Sequence, residues 1–91
     1  MKTRAHVFVQ GKVQGVYFRQ NATEVAKRNG ITGWIRNMSD GRVEAILEGR
    51  EVDVCFVIKW FHTGPPKAIV KEVVVKYEKY IDEFTDFKIE S

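Results

Sequence analysis

Apolar and polar residues alternate along residues 4–10, with Ala5, Val7 and Val9 on one side and His6, Phe8 and Gln10 on the other. That period of two predicts a strand buried on one face. From Phe18 the period lengthens: Phe18, Ala22, Val25 and Ala26 recur at helical spacing. Glu24 stands one turn from Lys27 and Arg28, where ion pairs are expected, and Gly30 falls at the position of a left-handed C-cap. Residues 32–38 predict a second strand and Ser39-Asp40-Gly41 a turn. In the third strand Val43, Ala45 and Leu47 face one way and Arg42, Glu44, Ile46 and Glu48 the other, as far as Gly49. The tight Asp-Gly turn joins the two strands into a hairpin. Val54, Val57, Ile58 and Phe61 mark a second helix over Glu51 to His62, stopped by Gly64-Pro65-Pro66. The β-branched run from Ile69 to Glu78 predicts a fourth strand, and Phe84, Phe87 and Ile89 a short last one after a charged link.

The order β-α-β-β-α-β, plus a C-terminal strand, predicts an α+β ferredoxin-like sandwich, an antiparallel sheet with two helices on one face. The opposite face is expected to be open, with Phe8, Ile46 and Val74 as scattered surface hydrophobics. At 91 residues the chain is expected to form one domain over 1–91, and a monomer. No apolar run approaches the ~20 residues of a membrane span, and residues 1–7 lack the apolar core of a secretory signal. Cys55 is the only cysteine, so no internal disulfide forms and a cytoplasmic location fits. A net charge of +3 and a pI near 9.1 favour anionic ligands. The cations are scattered rather than blocked, which argues against nucleic acid as a partner.

Candidate chemistry gathers between the first strand and the first helix, in Gly11-Lys12-Val13-Gln14-Gly15-Val16-Tyr17-Phe18-Arg19-Gln20-Asn21. A helix start carries unpaired N–H groups and the positive end of the macrodipole, so an anion is stabilised there. The backbone N–H groups of Gln14, Gly15, Val16, Tyr17, Phe18 and Arg19 are candidate phosphate donors. The Arg19 guanidinium can grip two phosphate oxygens. Asn37, near the end of the second strand, offers an amide able to hold a water in line with phosphorus. Each has a plainer alternative: a solvated arginine, a turn asparagine bonded to its own backbone, an ordinary strand-to-helix loop.

Other phosphate chemistries lack their equipment. Val16 follows Gly15 where a Walker loop needs lysine, and Phe61 occupies the arginine position of a cysteine phosphatase, so Cys55 reads as a small side chain of the second helix. His6 and His62 belong to no metal-ligand cluster, so neither metal nor cofactor is expected. A site without metal or nucleophile needs an already activated substrate. A carboxylic–phosphoric anhydride qualifies, because its leaving carboxylate, with a conjugate acid of pKa near ~4, departs without a general acid.

Together these residues resemble the acylphosphatase family. Gly11 to Arg19 matches Gly-x-Val-Gln-Gly-Val-x-Phe-Arg, and Gly33 to Val43 matches Gly-aromatic-x-basic-Asn-x3-Gly-x-Val, with Gly49 and Gly64-Pro65-Pro66 also in place. Ile35 departs from the family's usual valine at a position expected in the core. The resemblance implies a small cytosolic hydrolase that splits acyl phosphates into a carboxylate and inorganic phosphate. It gives Arg19 and the loop N–H groups the phosphoryl group, Asn37 the attacking water, and the substrate itself the water's proton. The alternative is a non-catalytic anion- or RNA-binding ferredoxin-like module, with Phe8 as its stacking platform. A third reading is a module of the kind that opens the hydrogenase-maturation carbamoyltransferases, whose zinc-ligand cysteine motifs are missing here.

Overall fold

The computed structural model describes residues 1–90; the last residue of the expected domain, Ser91, lies outside them. The chain runs β1 (Lys2–Lys12), α1 (Phe18–Arg28), β2 (Thr32–Asn37), β3 (Val43–Arg50), α2 (Glu51–Thr63), β4 (Ile69–Glu78) and β5 (Phe87–Ile89). The sheet order is β4-β1-β3-β2-β5. The first four strands pair antiparallel, as the alternation predicts, while β5 lies parallel to β2 and makes the sheet mixed. Fold class and element order therefore agree with the sequence reading.

Both helices lie on the face presented by Ala5, Val7, Val9, Ile35, Val43, Ala45 and Leu47, all fully buried. Phe18 and Ala22 of α1 and Val54, Val57 and Phe61 of α2 complete the core. Phe18 meets Trp60 at 5.4 Å and Phe61 at 5.5 Å between ring centroids, which ties the start of α1 to the end of α2. Helix α1 ends in a Schellman motif: Ile31 N–H donates to Ala26 O at 2.9 Å and Gly30 N–H to Lys27 O at 3.1 Å. Gly33 has a separate reason to be glycine. At its φ of 140° a Cβ would stand 1.9 Å from Ile46 O on β3, so only a bare Cα fits.

The other face of the sheet departs from expectation. Ile46 and Glu44 are buried, and Glu48 is fully so where residues 81 and 83 cross it, while Val74 stays exposed as expected. Glu48 accepts the Ile81 N–H at 3.0 Å, the Glu83 N–H at 2.9 Å and Arg4 Nη1 at 3.3 Å. Arg4 also reaches Glu78 and Glu83, at 3.0 and 2.7 Å, and lies over the Phe84 ring. The face is thus capped at the Glu48 end rather than open throughout, because one buried carboxylate satisfies backbone donors that the crossing segment would otherwise leave unpaired. The Glu24 ion pairs do not form either; Lys27 turns instead towards Asp86, at 3.8 Å.

Next along this face, Glu44 receives Arg36 Nε at 2.6 Å and lies 2.6 Å from His6 Nε2. Burial alone would raise its carboxyl, but the hydrogen bonds to His6 and Arg36 outweigh burial and hold it below the usual 4.5. A lowered folded-state value means stability that is complete above the usual value and is lost as pH falls through the lowered one. Unfolding free energy should therefore drop below pH 4.5, with a smaller slope in Glu44→Gln; an unchanged slope would exclude Glu44 as a contributor. Glu48→Ala should cost ~3 kcal/mol in urea unfolding, since it strands two backbone donors and part of Arg4.

Candidate active site

The loop from β1 to α1 is shaped from beneath. Val13, Val16 and Phe18 are buried in the core, so their side chains point inward and the backbone between them faces out. Two left-handed residues make the turns, Gly15 at φ 73° and Tyr17 at φ 64°. A Cβ at Gly15 would meet nothing within 4 Å, so there glycine contributes its backbone angle and open space above the loop. Tyr17 is the N-cap of α1 and provides no side-chain cap, and no acidic residue stands in the first turn. Among the described residues, no protein acceptor receives a backbone N–H from Gly15 to Gln20; the first helical bond is Asn21 N–H to Tyr17 O, at 3.1 Å. The result is a concave row of donors at a positive helix end, the arrangement that binds an anion.

Arg19 stands beside this row, half-buried and with no ion-pair partner among the described residues. A cation at a helix N-terminus is opposed by the macrodipole, so an anion over the loop would neutralise both. Gly15, Tyr17, Phe18 and Arg19 line one cavity of about 440 Å³ with Val13, Gln20 and Ile89. A larger cavity of about 490 Å³, lined by Gln10, Gly11, Asp40, Gly41, Arg42 and Lys71, holds none of the sequence-predicted residues. Its Arg42 is already engaged by Asp40 at 2.9 Å, and the free loop donors belong to the smaller cavity.

Asn37 closes β2 opposite Val43 and shares the helix-covered face with Ile35. Strands β1 and β2 run the same way with β3 between them, so Asn37 lies at the same end of the sheet as the loop. It does not line the Arg19 cavity. Its Oδ1 is buried and is the one such side-chain atom among the described residues without a hydrogen-bond partner. A buried acceptor left open costs ~1–3 kcal/mol, a loss that a bound water would recover. The hairpin beyond it is rigid: Met38 N–H donates to Arg42 O at 2.7 Å, and Asp40 Oδ1 accepts the Arg42 N–H at 3.1 Å. Those bonds from Arg42, backbone first, hold the Asp40 carboxyl below its ordinary range.

Gln14 joins the two halves. Its side-chain Nε2 donates to Met38 O at 2.8 Å and to Arg42 O at 3.0 Å, pinning the loop against the hairpin that carries Asn37. Sequence reasoning places Gln14 among the backbone donors and misses this brace; its only signal is an amide inside an otherwise apolar loop. It also misses Ile89 as a cavity wall, which follows from the parallel pairing of Ile35 with Ile89.

The family profile described as Acylphosphatase matches residues 5–89. This chain belongs to the acylphosphatase family. The acylphosphatase of Pyrobaculum arsenaticum is 59% identical over 87 residues, spanning 94% of this chain and 92% of the relative. The crystal structure of acylphosphatase from Bacillus subtilis superposes with a TM-score of 0.94 at 30% identity, covering 100% of both chains. The structure of an acylphosphatase from Coxiella burnetii gives a TM-score of 0.93 at 35% identity, covering 98% of this chain and 93% of the other. As an acylphosphatase, the protein is an enzyme rather than a binding module. Gln14→Leu should lower the stability of this acylphosphatase by ~1–2 kcal/mol in urea unfolding, by unpinning the loop from Met38 and Arg42; an unaltered midpoint would show that the brace contributes nothing.

Proposed function

We propose that this acylphosphatase cleaves its substrate with the phosphoryl group seated on the backbone N–H groups from Gln14 to Arg19, clamped by the Arg19 guanidinium, and attacked by a water held on Asn37. The observation that carries the reading is the run of donors from Gly15 to Gln20 beside Arg19, all without protein partners among the described residues. The chemistry balances without further help. Water oxygen bonds to phosphorus, the bond from phosphorus to the acyl oxygen breaks, the carboxylate leaves with the electron pair, and the water's proton passes to a phosphate oxygen. No base is required near the water, and neither histidine is placed to act as one. His6 is held against Glu44 on the far face, and His62 Nδ1 lies 3.0 Å from Ile58 O within α2. Developing charge on the phosphoryl oxygens meets preorganised donors, the largest contribution in such sites.

Substrate and product are small anions, and among the described residues no helix is long and apolar enough to cross a membrane. With one cysteine, exposed on α2, we place the enzyme in the cytoplasm as a monomer. A base-stacking role for Phe8 has no support: Arg42 caps the ring at 5.2 Å and His6 lies against it at 4.5 Å.

Benzoyl phosphate should be hydrolysed without added metal and in the presence of chelator. Arg19→Ala should raise KM and lower kcat, on the order of 10²–10³-fold in kcat/KM, because the clamp acts in ground and transition states alike. Asn37→Ala should act mainly on kcat, by on the order of 10²-fold. Full kcat in a folded Asn37→Ala enzyme would remove the water-holding role.

A further inference from the structure

Two large apolar side chains stand exposed at the mouth of the Arg19 cavity, Tyr17 at 66% and Ile89 at 44%. They come from opposite ends of the chain. Tyr17 rises from the loop, and Ile89 is carried in on β5, held by Glu90 N–H to Ile35 O at 2.8 Å and Gly33 N–H to Asp86 O at 3.0 Å. Tyr17 is also the strained residue of the loop. Its φ of 64° costs a bulky side chain ~1–2 kcal/mol that glycine would avoid. The backbone angle serves the N–H row; the ring does not, so the ring needs a separate use.

The substrate supplies one. Once the phosphoryl group is seated, the acyl group must lie on the side of phosphorus opposite the attacking water. Asn37 is absent from this cavity, so the cavity is free to take the leaving side. Its one cation, Arg19, is occupied by phosphate oxygens, so a second charge on the acyl group finds no partner there. Its outer walls are an aromatic ring and a branched aliphatic chain.

Resting on the reading above, we propose that Tyr17 and Ile89 form the acyl-group subsite and make the enzyme selective for acyl phosphates with uncharged, bulky apolar acyl groups. The phosphoryl cradle alone handles any acyl phosphate; these two side chains discriminate among them. A wall of this kind is worth a few-fold to roughly tenfold in kcat/KM, since contact is made on an open rim and not in a closed pocket.

The test compares kcat/KM for benzoyl phosphate and acetyl phosphate. Wild type should favour the benzoyl compound by about tenfold. Tyr17→Gly and Tyr17→Asn, both tolerant of the left-handed angle, should each reduce the ratio about threefold to fivefold. Ile89→Ser should do likewise, and Tyr17→Phe should keep the wild-type ratio. Inhibition by inorganic phosphate, measured on each variant alongside a thermal melt, reports whether the cradle survives. Ratios unchanged within about twofold in folded, phosphate-inhibited variants would overturn the acyl subsite while leaving the phosphoryl site standing. A folded wild type that hydrolyses neither compound would overturn the phosphoryl reading, and the subsite with it.

Discussion

The burial of Val13, Val16 and Phe18 governs everything at the candidate site. Val13 and Val16 belong to a loop and Phe18 opens α1, yet all three are packed as tightly as strand residues. Each fully buried side chain of this size contributes ~1.5–3 kcal/mol. The left-handed angle at Tyr17 costs ~1–2 kcal/mol, so the core wins and the loop keeps its shape. With the side chains committed inward, the N–H groups have one direction left. The candidate anion cradle is therefore shaped by core packing beneath it, with the two Gln14 hydrogen bonds fastening one side of it to the hairpin.

Periodicity made most of the fold legible. Strand β4 begins at Ile69 and ends at Glu78 where the β-branched run does, and the inward sets of β1 and β3 are fully buried. These features are local, and local pattern records them. Glu48 shows where pattern fails. A charged residue on an alternating strand reads as solvated, yet its partners are Arg4 and the backbone of residues 81 and 83, distant in sequence and invisible to any window. The same holds for β5, whose parallel partner is set by the returning chain. Arg19 and Asn37 are candidates on motif positions and residue chemistry alone. Their shared end of the sheet required the strand order, and the Gln14 brace and the Ile89 wall required tertiary contacts.

The two faces of the sheet serve different ends. On the helix side, apolar packing shapes the loop. On the other, a chain of polar and charged contacts from Arg36 through Glu44, His6, Glu78 and Arg4 to Glu48 fastens residues 79–86. That segment leads directly into β5 and so fixes the strand that carries Ile89. A polar network on one side of the sheet thereby supports a wall of the cavity at its end.

The place of β1 in the sheet has a bearing on how the chain is made. The first strand has β3 on one side and β4 on the other, and Arg4 pairs with Glu78 across 74 positions. No neighbouring segment can stand in for β4, because the register opposite β1 is complete only once the chain has passed residue 78. A chain emerging from a ribosome would thus hold β1 unpaired on its β4 side until residue 78 had emerged. Folding of such a topology is slowed by the entropy of closing so long a loop. The candidate cradle, which follows β1 directly, is thus completed only after residue 78 has been made.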